Sequence, residues 1–189
     1  MTAEVYTVNM DDGQDGLGAR LVREAIAALD AGAGEISLRG LAKAAGVSAM
    51  APYRHFPDKT ALLRAVSDRG FAMLAEALAT ADRAPDEREA LTAQGLAYLA
   101  FAQAHPALFR LMFSGGGDGG PPGAAKMAAY GVLAGRVARL TPNPAAVTAC
   151  WALVHGLAIL TLDGQSPPDG ADSRAVLALL AEGVLQGGA

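Results

Sequence analysis

Apolar residues recur along this chain at intervals of three and four, and no stretch alternates convincingly with period two, so the pattern predicts helices and no sheet. Leu21, Ala25, Ala28 and Leu29 mark one face of a first helix, which Gly32 and Gly34 stop. Ser37 is placed to cap a second, in which Leu38, Leu41, Ala42 and Ala45 fall at i, i+3, i+4 and i+7 before Gly46 closes it. Val47 then acts as a buried plug. Ser48 offers a further cap, and residues 49–55 have room for two helical turns before Phe56 and Pro57 break the run. Pro52 lacks a backbone donor, but it falls in the first of those turns and loses at most one bond.

Pro57, Asp58 and Lys59 open a long helical segment to about Ala81, with Asp58 favourable for the helix dipole. Pro85 opens the next, to His105, and Pro106 restarts a short one through Phe113. The glycine-rich stretch 114–123 reads as a mobile loop. A helix follows over 124–140. Asn143 caps and Pro144 opens another to Leu162, and after a loop over 163–170 Asp172 or Ser173 caps a last helix to Gln186. The expectation is an all-α protein of about nine helices. Residues 145–162 carry no formal charge and are long enough to be considered as a membrane span, but Trp151 and His155 sit in mid-segment and no cation closely flanks it. A helix buried between partners explains the same pattern, so no membrane association is expected.

Composition narrows the class. With 52% hydrophobic residues in 189, the chain can bury a sizeable core. Cys150 is the single cysteine, and the three histidines lie far apart with no partner at metal-ligand spacing, which suggests a reduced, cytoplasmic protein with no metal and no cofactor. Residues 1–16 hold Glu4, Asp11, Asp12 and Asp15 and no cation, so they read as a flexible acidic arm and not as a signal peptide. The net charge of −4 hides an asymmetry: residues 17–69 carry eight basic and five acidic side chains, whereas residues 70–189 carry seven and ten. The positive part is the one that could meet nucleic acid.

Residues 37–59 read Ser-Leu-Arg-Gly-Leu-Ala-Lys-Ala-Ala-Gly-Val-Ser-Ala-Met-Ala-Pro-Tyr-Arg-His-Phe-Pro-Asp-Lys. Two helices this short, joined by a Gly-Val-Ser turn, must pack crosswise on a third, which is the helix-turn-helix arrangement. The Ala-Gly-Val-Ser turn, the Tyr-Arg-His-Phe ending and the Asp-Lys-Thr-Ala-Leu-Leu start of the following helix resemble the TetR/AcrR family of transcription regulators. That resemblance implies a DNA-binding domain over residues 17–62 and a regulatory and dimerisation domain over 63–189. It implies phosphate contacts from Ser37, Arg39, Tyr53, His55 and Lys59, with Ser48, Ala49, Met50, Ala51 and Arg54 against or beside base edges. The chemistry agrees independently, since hydroxyls, cations and helix N-termini suit phosphates, and small residues let a helix approach the groove floor. Pro52 departs from the aliphatic residue common at its position.

In the second half, the Trp-x-x-x-His-Gly run at Trp151, His155 and Gly156 and the segment from His105 to Phe113 resemble the subgroup of that family with a Trp-His-Gly motif. Trp151 and His155, four apart on one helix, could equally line a pocket, the core or the dimer seam. Between Ala90 and Gly135 the only charges are Arg110, Asp118 and Lys126, while aromatics and methionines concentrate there. Tyr98, Phe101, His105, Phe109, Met112, Met127 and Tyr130, with Trp151 and His155, are therefore candidates to line a pocket for a small apolar effector, with the loop over 115–120 as its gate. The same residues at helical spacing could be plain core. The last two helices have more apolar surface than one face needs, and the resemblance implies that they pair across a two-fold axis in a homodimer bound to pseudo-palindromic double-stranded operator DNA; an acid at Leu177 or Leu180 is expected to break that pairing.

An enzyme is the main alternative from another class. Cys150 has no basic neighbour, no nucleophile motif is present, and the loop over 115–120 lacks the lysine of a phosphate-binding loop, so no catalytic residue is assigned. Among regulators of this fold, a ligand-released repressor is expected, with a ligand-independent regulator or an activator left open.

Overall fold

The computed structural model of the chain describes residues 16–32, 34–114, 123–165 and 172–186. Within them lie eight α-helices and one 3₁₀ turn, and no strand: α1 (Leu17–Asp30), α2 (Leu38–Ala44), the 3₁₀ turn (Ala51–Arg54), α3 (Lys59–Ala81), α4 (Glu87–Ala104), α5 (Pro106–Phe113), α6 (Ala124–Leu140), α7 (Ala146–Leu162) and α8 (Ser173–Gln186). The all-α expectation holds. The proposed acidic arm, apart from Gly16, and the proposed gating loop over 115–120 lie outside the described residues. The chain forms two compact units, Met1–Val66 and Ser67–Ala189, whose boundary falls inside α3.

In the first unit, Leu21, Ala25, Leu41, Ala42, Phe56 and Leu62 form a buried apolar core under three short elements. Ser37 caps α2 as its sequence suggests, its Oγ accepting the Gly40 N–H at 3.1 Å. The turn after α2 is a Schellman motif: Val47 N–H donates to Ala42 at 3.0 Å, Gly46 N–H to Lys43 at 3.1 Å, and Gly46 adopts a φ of 67°. Glycine is needed here because an L side chain resists the left-handed region. Val47 is half-buried.

The element after the turn is shorter than the two helical turns expected over 49–55. Ala51, Tyr53 and His55 donate to the carbonyls of Ser48, Met50 and Pro52, all three residues back, so the segment closes as a single 3₁₀ turn. Pro52 supplies the reason. It has no N–H to give Ser48, and its ring is buried, which fixes the turn around it.

In the second unit α4 is the central helix, packed against α5, α6, α7 and α8. Asp86 caps it, Oδ1 accepting the Glu89 N–H at 2.8 Å, so the helix begins just after the Pro85 start read from sequence. Asn143 Oδ1 accepts from Ala145 N–H, one residue before α7 begins. Gly95 permits a close approach, since a Cβ there would lie 2.7 Å from Leu177 Cδ2. Leu177 is thus 3% exposed and belongs to the protomer's core, not to an outward seam, because the missing side chain at Gly95 leaves it a socket. Arg136, buried on α6, gives Nε to Asp82 Oδ1 at 2.6 Å and a second nitrogen to the Asp82 carbonyl at 2.7 Å, and also pairs with Glu87. A buried guanidinium is tolerable only with partners of this kind. Among the described residues, no helix is long and apolar enough to cross a membrane.

Candidate functional site

The short elements of the first unit leave a set of polar side chains exposed. Ser37, Arg39, Ser48, Ala49, Met50, Tyr53, Arg54, His55 and Lys59 are all exposed, Ala51 is half-buried, and Pro52 and Phe56 turn inward as anchors. With its oxygen accepting from Gly40, Ser37 keeps its hydroxyl hydrogen free to donate outward. Met50, 68% exposed, has no hydrogen-bonding partner to seek and is the most prominent apolar side chain on the turn. His55 rests on α1, where a Cβ at Gly18 would come 3.3 Å from its Nδ1. Asp58 caps α3 through Ala61 N–H at 2.8 Å, and Lys59 Nζ reaches Glu35 at 2.9 Å. Cations and hydroxyls are of the kind that suit phosphates, and small and apolar side chains of the kind that suit base methyls.

The second unit holds a cavity of about 310 Å³. Of the nine residues singled out from sequence, Tyr98, Met127, Tyr130 and Trp151 line it. Phe101, His105, Phe109, Met112 and His155 are not among its lining residues. Phe109 is fully buried and stacks on His155 with ring centroids 5.6 Å apart, Met112 is buried under α3 at Gly70, and Phe101 lies 5.1 Å from the His105 ring.

His155 stands directly behind Tyr98, its Nδ1 2.8 Å from the phenol oxygen. Burial, helped by the charge of Lys126, holds the imidazole pKa below its ordinary value, and burial pushes the Tyr98 phenol well above its own. Near neutrality the tyrosine hydroxyl therefore donates to a neutral imidazole, whose proton sits on Nε2. The bond satisfies the phenol hydroxyl and the imidazole Nδ1 and leaves the Tyr98 ring as an apolar wall.

Sequence reasoning missed several lining residues. Leu74 and Leu78 come from α3, Leu91 and Gln94 from α4, and Leu177 and Leu180 from α8, the last a helix read only as dimer surface. Their signal was ordinary helical periodicity, which marks burial and not what is buried. Cys150 also lines the cavity as a small buried side chain, and burial pushes its thiol pKa up, which favours the neutral thiol. Among the described residues Lys126 is the charged one in the lining, with Nζ 5.7 Å above the Phe71 ring.

The chain matches two family profiles, the bacterial regulatory proteins of the tetR family over residues 25–66 and the tetracyclin repressor-like C-terminal domain over residues 91–184. It is similar to a solved protein of unknown function from Rhodococcus sp. RHA1, with 31% identity, a TM-score of 0.74, and coverage of 94% of this chain and 98% of that one. The fold is shared with a TetR variant from Acinetobacter baumannii AYE in complex with minocycline, at 22% identity and a TM-score of 0.66, covering 93% and 99% of the two chains. A tetR-family regulatory protein from Rhodococcus RHA1 also shares it, at 22% identity and a TM-score of 0.61, with 91% and 96% covered. No curated protein sequence matches the chain. The exposed helix-turn-helix face and a helical second unit are those of a DNA-binding transcription regulator. The chain belongs to the TetR family.

Proposed function

We propose that the protein is a ligand-released repressor of the Trp-His-Gly type, working in the cytoplasm as a homodimer. Residues 17–62 read double-stranded, pseudo-palindromic operator DNA, and residues 63–189 bind a small, largely apolar effector and form the dimer. The observation that carries this reading is the cavity of about 310 Å³ walled by aliphatic and aromatic side chains. A tightly packed helical unit with no sensing role would have side chains filling such a space. The Acinetobacter TetR variant, which has this fold, is found with minocycline bound. Leu160 and Leu179, on α7 and α8, are 44% and 71% exposed, which supports a partner over that surface.

A two-fold dimer would present two turns to successive major grooves, about 34–36 Å apart. An effector that binds better to a dimer with another separation then weakens DNA binding by linkage. The test is selection of genomic fragments by the purified protein, followed by titration of the recovered duplex with and without effector candidates. A palindromic fragment bound tightly and released by an apolar compound is the expected outcome. Binding to all duplexes with equal affinity would overturn the reading.

A further inference from the structure

The cavity wall contains a polar side chain whose hydrogen bonding is incomplete. Gln94, on α4, is 2% exposed, and its Nε2 donates to Asp82 Oδ1 at 2.6 Å. Its Oε1 is the one buried side-chain oxygen or nitrogen among the described residues with no hydrogen-bond partner. The amide cannot turn over to repair this, because Oε1 would then face the Asp82 carboxylate. That carboxylate is itself held in place and ionised. Burial raises its pKa, but the bonds from Arg136 and Gln94 and the charges of Arg136 and Arg139 outweigh this and bring it below the usual range. Gln94 is thus locked as an acceptor, and a buried acceptor without a donor is costly.

Resting on the proposal that this cavity takes the effector, we infer that the effector carries a neutral hydrogen-bond donor, such as an alcohol, phenol or amide N–H, on an otherwise apolar frame, and gives it to Gln94 Oε1. The Tyr98 hydroxyl, on the same helix and also in the lining, is already committed to His155. A cationic donor is disfavoured because Lys126 lines the same space and, among the described residues, no carboxylate does. An effector with only acceptors, such as an ether or ester, would leave Oε1 unpaired and place a second acceptor beside it.

Probe binding can be followed through the emission of Trp151, the single tryptophan of the chain and a lining residue, with calorimetry as a second readout. The probes are octanol, its isostere methyl heptyl ether, and octylammonium, each titrated into the full-length wild type and into Gln94→Met, which keeps the side-chain length and removes the acceptor. In the wild type octanol is expected to bind tighter than the ether. The ratio of the two affinities should fall about five- to tenfold in Gln94→Met, the effect of one hydrogen bond. Octylammonium should bind weakest to the wild type. Equal binding of alcohol and ether by the wild type, or a ratio unchanged by the substitution, overturns the Gln94 assignment while leaving the cavity as an effector site. Binding of no probe at all would overturn both. Because the wild-type comparison stands alone, a poorly folded variant does not rescue the proposal.

Discussion

Lys59 Nζ lies 2.9 Å from a carboxylate oxygen of Glu35, with both side chains largely exposed. The lysine beside the proposed phosphate-binding face is thus held by an acid that DNA must displace or tolerate. The lysine's hydrogen bond and charge lower the Glu35 pKa, so the acid stays ionised at neutral pH. Glu35→Gln is therefore expected to tighten binding to any duplex only modestly, by up to about fivefold, because an exposed pair is weak and screened by solvent. Lys59→Ala should weaken binding on all sequences and reduce the slope of log affinity against log salt by about one. Anisotropy titrations at several salt concentrations measure both effects. An unchanged slope in Lys59→Ala would remove its phosphate role.

Gly46 makes a second expectation independent of any ligand. Its φ of 67° and the paired bonds of Gly46 and Val47 N–H close α2. Gly46→Ala should destabilise the first unit by about 1–2 kcal/mol, the cost of a Cβ in the left-handed region. Thermal denaturation should show this, along with weaker DNA binding at temperatures near the new midpoint.

Much of this architecture was legible in the chain, and its limits have physical causes. Pro106 and the run from 124 to 140 set α5 and α6 where the periodicity placed them, because proline and terminal glycine act locally. The two helical turns that the sequence predicts over 49–55 shrink to one 3₁₀ turn because Pro52 not only lacks a donor but also, through its buried ring, fixes the backbone around it. The Asp82, Gln94 and Arg136 cluster was not legible at all. Arg136 and Asp82 stand 54 residues apart, and only the packing of α6 onto α4 brings them together. Trp151 and His155 share a helix face, yet only Trp151 lines the cavity, a difference set by Tyr98 and Phe109 enclosing the imidazole.

His155 gives the protein a pH dependence with a definite sign. Its folded pKa lies below the ordinary imidazole value of 6.5, chiefly through burial and then through Lys126. Below pH 6.5 the unfolded chain binds a proton that the folded chain resists, so this contribution to stability is present above that pH and declines as pH falls toward the folded pKa. The melting temperature of the wild type is expected to drop more steeply between about pH 7 and pH 5 than that of His155→Gln. Parallel curves for the two proteins would mean that the imidazole is no less basic folded than unfolded.

The dimer can be tested with side chains that do not hold the protomer together. Leu179 and Leu160 are exposed, whereas Leu177 sits in the socket at Gly95. Leu179→Asp and Leu160→Asp are expected to give folded monomers, seen as half the sedimentation mass with the helical circular dichroism retained. Leu177→Asp should unfold the second unit instead, since it buries a charge. A wild-type mass of one chain at micromolar concentration would remove the proposed seam.

Filling the cavity separates an effector site from an ordinary core. Val154, on α7, is 6% exposed and lines the space together with Trp151 and Tyr130. In a close-packed interior Val154→Phe would cost about 1–3 kcal/mol through strain. Here the added ring has a cavity of about 310 Å³ to enter, so the melting temperature is expected to stay level or rise. Met127→Trp extends bulk from the opposite helix, α6, where Met127 is half exposed at the cavity's edge. Both variants should bind operator DNA as the wild type does without effector, because neither touches the first unit's exposed face. Both should fail to release it when effector is added, and neither should show the thermal stabilisation that effector gives the wild type. Release at the wild-type effector concentration by both variants would place the effector elsewhere and return these side chains to the core.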